Sequence, residues 1–114
     1  PGAGMILPVL ISEGYHKRGI PLETVANVTS CQTAKALGLT GKGTMETGAD
    51  ADFAVVDLEL EKEVKPAVFG GSDYSIYDGM KLKGWPVYTI SRGDIVQKDG
   101  KIIADQGRGK FIKR

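Results

Sequence analysis

The chain has 114 residues, enough for one small core and too few for a second independent one. A composition of 41% hydrophobic and 25% charged residues excludes a disordered, collagen-like or disulfide-stapled chain. Fifteen basic residues against fourteen acidic ones leave a formal charge of +1, so neither nucleic acid nor an anionic membrane is expected as a partner.

The opening Pro1–Leu10 is apolar but has no basic n-region and no clear cleavage site, so it does not read as a signal peptide. Pro stands first where an initiator Met is expected, which points to a chain that belongs to something longer. From Met5 to Tyr15 the apolar positions Ile6, Leu7, Val9, Leu10 and Ile11 are too dense for a narrow stripe and predict a helix covered on most sides. Pro8 is tolerated near the start, where its missing N–H has no partner to lose. Gly14 and Gly19 bracket the polar Tyr15-His16-Lys17-Arg18, which ends this helix.

A second helix is expected from Pro21, with Glu23 in its first turn and a buried face of Leu22, Val25 and Val28 with Ala26. Ser30 reads as the N-cap of a third, short helix over Cys31–Leu37. Gly38 followed by Leu39 fits a left-handed C-cap with a hydrophobic clasp.

Beyond the turn-rich Thr40–Thr44 the pattern becomes strand-like. Asp52–Asp57 is a short apolar run bounded by acids, as for a strand covered on both faces. Lys62–Val68 is expected as an edge strand because Pro66 interrupts it. Gly70–Gly84 reads as a loop anchored by Tyr74, Ile76, Tyr77 and Met80, and Val87–Ile90 as a strand. Asp94–Ile103 predicts a hairpin, because Asp99-Gly100 supplies both positive φ angles of a type I′ turn. Gly107–Arg114 carries four basic residues without an acid and reads as a solvated tail. Helices first and strands after give an α+β class in two layers or two partial domains.

The search for chemistry returns little. A catalytic zinc needs several converging His, Cys or carboxylate ligands, and the chain has one histidine, His16, and one cysteine, Cys31. His16, between Tyr15 and Lys17, reads as a solvated surface residue. Cys31 has no intramolecular partner, which fits a reducing, cytoplasmic compartment. Asp50-Ala51-Asp52 lacks the remaining positions of a calcium loop and reads as turn-forming. No Gly-x-Ser-x-Gly elbow supports a serine triad. In Gly41-Lys42-Gly43-Thr44 the phosphate-loop run is broken by Gly43 and no strand precedes it. Asn27-Val28-Thr29 is a formal glycosylation sequon inside an expected helix. Arg92-Gly93-Asp94 matches an adhesion tripeptide but reads as a turn between two strands. No catalytic and no metal-ligating residue is assigned, and no apolar run reaches the ~20 residues that span a bilayer.

Three segments in order nevertheless carry a resemblance. The first is Pro1-Gly2-Ala3-Gly4-Met5, followed by Leu7-Pro8-Val9-Leu10 and Ser12-Glu13-Gly14. The second runs through Leu22, Thr29-Ser30, Ala34-Lys35, Leu37-Gly38-Leu39, Lys42-Gly43-Thr44 and Gly48-Ala49-Asp50-Ala51-Asp52 to Asp57. The third is Ser72–Gly79, then Lys83-Gly84-Trp85-Pro86-Val87, then Ser91-Arg92-Gly93. Together they resemble the C-terminal segment of cyclic amidohydrolases, in the dihydropyrimidinase/D-hydantoinase branch rather than among the dihydroorotase and allantoinase relatives. Gln32-Thr33 departs from the family's usual Asn-Pro, and Ala3-Gly4-Met5 replaces a more acidic version.

The resemblance implies a parent hydrolase of dihydropyrimidines or hydantoins, built on a TIM-like barrel with two divalent metals, usually zinc, bridged by a carboxylated lysine. It implies that those ligands lie upstream of Pro1, and that only Pro1 and Gly2 border the substrate pocket, through main chain. Residues 1–40 would then be the terminal helices of the barrel, 41–106 half of a β-sandwich, and 107–114 a basic tail able to reach a neighbouring subunit. The expected partners are the missing N-terminal part of the parent or further copies of the chain in an oligomer. An independent oligomerisation or binding module derived from that tail is the alternative. A small enzyme with unrelated chemistry is disfavoured by the poverty of His and Cys.

Overall fold

The computed structural model describes residues 2–65 and 73–113. Two helical runs precede a four-stranded sheet, so the α+β class is as expected. The first run covers residues 3–16: a tight turn at Ala3–Met5, regular helix at Ile6–Val9, and a widened stretch at Leu10–His16. It is not covered on most sides. Met5, Pro8, Ile11, Ser12 and Gly14 are buried along one stripe, while Ile6 on the other side is 55% exposed. As the polar stretch predicts, the run ends at a glycine. Gly19 has φ +67°, its N–H donates to Tyr15 O at 3.2 Å, and Ile20 N–H donates to Gly14 O at 3.1 Å.

The second run covers residues 22–36 and starts where Pro21 predicts, with Thr24 and Val25 N–H donating to Pro21 O. Its expected buried face shrinks to Val25, with Leu22 half-buried and Val28 48% exposed. No third helix begins at Ser30. The chain stays helical through Asn27–Cys31 in widened turns, and Ser30 Oγ donates backwards to Ala26 O at 2.6 Å. Thr33 Oγ1 does the same to Val28 O at 2.7 Å. A hydroxyl suits a cap only where the backbone leaves the helix; inside one it satisfies a carbonyl of the preceding turn. The far end is as expected: Gly38 has φ +68° and Leu39 N–H closes on Ala34 O at 2.9 Å.

The strands are β1 (Phe53–Glu63), β2 (Lys81–Ser91), β3 (Asp94–Lys98) and β4 (Lys101–Ile102), adjacent in that order. The expected strand at Asp52–Asp57 and the start of the one at Lys62–Val68 are a single strand. Leu58-Glu59-Leu60-Glu61 continues the period-two alternation between them, and burial alternates along β1. Residues 66–68 of that expectation lie outside the described residues. Ala54 and Val55 are exposed, so β1 is not covered on both faces as expected. Lys81–Gly84, expected in a loop, open β2. Of the expected anchors, Tyr77 packs on the core, while Tyr74 and Ile76 are 62% and 73% exposed and Met80 is 37% exposed.

Ala51 and Gly93 are hydrogen-bonded at one end of the β1–β2 pair, and Val64 and Met80 at the other. The two ties are equally far apart along both strands, so the pair is antiparallel without net slippage. Two tight turns complete the meander. Arg92-Gly93 (φ +50° and +83°) joins β2 to β3, and Asp99-Gly100 (φ +49° and +82°) joins β3 to β4 with Lys98 opposite Lys101. A register shift between Thr89 and Ile90 leaves Val96 as the extra residue of a bulge.

Two compact units divide the chain. Pro1–Val25 with Val56–Pro86 form the first, and Ala26–Val55 with Val87–Arg114 the second. The core of the first unit is Met5, Val64, Leu82 and Trp85, flanked by Val9, Leu60 and Tyr77. In the second unit Ala34 is buried beneath the Lys42–Thr44 loop, where a Cβ on Gly43 would come within 2.8 Å of Ser30 O.

Candidate functional site

In the first unit, the residues that carry the resemblance lock the first helix onto β1 and β2. Gly84 has φ +98°, and a Cβ there would stand 2.1 Å from Ile11 Cγ2, so only glycine lets the strand pass this close to the helix. One residue along each element, the buried Ser12 Oγ accepts the Lys83 N–H at 3.1 Å. Trp85 Nε1 donates to Leu82 O at 2.8 Å, which satisfies the only polar atom of a ring that is 3% exposed.

His16 is not a solvated surface residue. It is half-buried, its ring meets Tyr15 edge-on, and its Nε2 donates to Leu58 O at 2.8 Å. A carbonyl only accepts, so this nitrogen carries the hydrogen. His16 thereby satisfies a backbone carbonyl of β1 from the first helical run. No motif in the sequence marks this bond, which joins residues 42 positions apart.

Asp50 and Asp52, read as turn-forming, converge on one lysine. Lys42 Nζ lies 2.7 Å from Asp50 Oδ2 and also contacts Asp52 Oδ2, while Asp52 Oδ1 accepts the Arg92 N–H at 2.8 Å. The hydrogen bond from Lys42, helped by the Arg92 N–H, holds the Asp52 carboxyl below the usual carboxylate range. The same two carboxylates raise Lys42 above an ordinary lysine. Sequence reasoning placed all three residues in one resembling segment but missed their pairing, since the stretch between Lys42 and Asp52, ten positions apart, folds back as a loop.

Arg92-Gly93-Asp94 is a turn between strands, as expected. The tail is not simply solvated: Arg108 Nη2 donates to Ser91 O at 2.8 Å and pairs with Asp94 at 3.0 Å, and Arg92 reaches back to Arg108 O. Beyond it Phe111 is 94% exposed. Cys31 lies in a groove of about 410 Å³ in the second unit, lined also by Lys35, Leu39, Lys42, Thr44 and Glu46.

The donors present do not fit a metal centre. Among the described residues no three His, Cys, Asp or Glu side chains come together to hold an ion. Asp50 and Asp52 are engaged by a lysine, and the hydrogen on His16 Nε2 goes to a carbonyl. Gly2, expected at a pocket edge, is half-buried and its carbonyl accepts the Met5 N–H at 3.0 Å. Pro1 lies outside the described residues.

The sequence pattern of the amidohydrolase family matches residues 4–96. This chain belongs to that family. It is 36% identical over 110 residues to the L-hydantoinase of Paenarthrobacter aurescens, a match covering 95% of this chain and 24% of that protein. The allantoinase of Rubrobacter xylanophilus is 36% identical across 98% of the chain and 25% of its own length. The D-hydantoinase of Geobacillus stearothermophilus is 34% identical, with 26% of its length covered. Among solved structures, the L-hydantoinase (dihydropyrimidinase) from Arthrobacter aurescens superimposes with a TM-score of 0.89 at 35% identity, again over 95% of this chain and 24% of that one. The dihydropyrimidinase from Brevibacillus agri gives 0.88 at 30%. The amidohydrolase chain described here spans about a quarter of the length of the curated relatives it matches. Its relatives are cyclic amidohydrolases, and the hydantoinases and dihydropyrimidinases among them agree with the branch that the sequence motifs resemble. None of its described helices is long and apolar enough to cross a membrane.

Proposed function

We propose that this chain is the C-terminal portion of a metal-dependent hydrolase that opens the C–N bond of cyclic amides, dihydropyrimidines or hydantoins, and that it gives that enzyme no metal donor. The observation that carries the reading is the near-complete superposition on a quarter of an L-hydantoinase, joined to the His16, Asp50 and Asp52 side chains already committed to structural bonds. The two zinc ions and the carboxylated lysine expected of the parent belong to the rest of that polypeptide. Residues 1–40 act as the terminal barrel helices, 41–106 as a β-sandwich half and 107–114 as a basic tail, in a cytoplasmic oligomer. Pro1 and Gly2 sit beside the substrate through main chain. No nucleic acid or membrane takes part.

A second reading, an independent oligomerisation module, is favoured by apolar side chains left open in the second unit, where Ile102 is 77%, Ile103 56% and Phe111 94% exposed. A graft separates the two. Residues 2–113 replace the matched quarter of the Paenarthrobacter aurescens L-hydantoinase, and ring opening of hydantoin and dihydrouracil is followed. The chimera is expected to keep its metal and turn over. A folded chimera with full metal and no turnover on either ring would contradict the proposal.

A further inference from the structure

Tyr77 meets the start of the chain from a hydrogen-bonded turn. The turn beneath it is closed by Tyr77 N–H to Ser75 Oγ at 3.2 Å, Asp78 N–H to Ser75 O at 3.2 Å and Met80 N–H to Tyr77 O at 3.0 Å. Gly79 N–H to Val64 O at 3.0 Å ties that turn to a residue of the core. The half-buried ring packs against the cluster of Met5, Val64, Leu82 and Trp85. Its edge faces Gly2, where a Cβ would lie 3.5 Å from Tyr77 Cε2 and 3.8 Å from its hydroxyl. The main chain at Gly2 is held from the other direction by its carbonyl bond to Met5. Thus the first described residue is wedged between the helix it starts and an aromatic ring set by a distant turn.

We infer that Tyr77 is a positioning residue for the substrate-binding edge formed by Gly2: its ring fixes where that main chain runs, and so how tightly the cyclic amide is held. This rests on the reading that Gly2 borders the pocket. A ring that only sets the position of a binding edge acts on substrate affinity, whereas one that only fills the core acts on stability.

The test uses the full-length polypeptide that carries this chain, with hydantoin and dihydrouracil as substrates. Tyr77→Phe keeps the ring and is expected to match the parent. Tyr77→Leu, which keeps most of the packing volume, and Tyr77→Ala are expected to raise KM about tenfold with kcat within about a factor of two. A lower Tm with unchanged KM in the folded Leu variant would overturn the inference. Hydrogen exchange keeps the two failures apart: in the full-length polypeptide, saturating hydantoin is expected to slow exchange of the main-chain amides at the start of the helical run that Gly2 opens. If hydantoin gives no protection there, the placement of Gly2 beside the substrate falls. If it protects and Tyr77→Leu leaves KM unchanged, the role of Tyr77 alone falls.

Discussion

At the scale of single residues, the side chains that looked most like chemistry are spent on structure. His16 Nε2 satisfies the Leu58 carbonyl, so His16→Ala should leave that carbonyl unpaired and cost about 1–3 kcal/mol in urea denaturation. An unchanged midpoint would mean that this carbonyl finds another donor. Asp52 is equally committed, to Lys42 and to the Arg92 N–H. Its lowered pKa gives stability that is fully present above the ordinary carboxylate value of about 4 and lost as pH falls through the folded value. The raised pKa of Lys42 gives stability that is present below the ordinary lysine value of about 10.4 and lost as pH rises through the folded value. The Tm difference between the native chain and Asp52→Asn should therefore be flat between those limits and shrink outside them. A difference that grew on acidification would contradict the pairing. Neither role was legible in the sequence. A histidine in a polar stretch and an acid pair after a glycine look alike whether they face water or a partner forty residues away.

At the scale of elements, local signals were read well where the backbone itself decides. Asp99-Gly100 and Arg92-Gly93 make the turns expected of them, and Gly38 ends its helix as a left-handed cap. Gly100→Val should accordingly cost about 1–2 kcal/mol, because a branched residue cannot hold φ +82° cheaply, while Asp99→Asn should change stability little. Equal losses in both variants would point away from turn geometry. Boundaries set by packing were not legible. Ser30 looks like a cap only until the helix is seen to run past it, and β1 continues through Leu58–Glu61 because alternate residues there find cover. Gly84 shows why: its need for glycine comes from Ile11, seventy-three residues earlier in the chain, and no neighbour in sequence announces it. Gly84→Ala combines a clash with a positive φ and should cost about 3 kcal/mol, and the double variant with Ile11→Ala should lose less than the sum of the two single losses.

At the scale of the whole molecule, family membership was legible because three separated segments keep their order, and those segments prove to hold the helix–strand seam and the Lys42 network. For function the sequence offered only the resemblance. The chain spans about a quarter of the length of the relatives it matches, and among its described residues no three His, Cys, Asp or Glu side chains gather to hold a metal ion. The most direct measurement loads the purified 114-residue chain with zinc, removes the excess, and assays the metal retained together with the opening of hydantoin and dihydrouracil. The chain should keep no stoichiometric zinc and open neither ring. Two retained zinc ions with turnover that co-purifies with these residues would contradict the central claim.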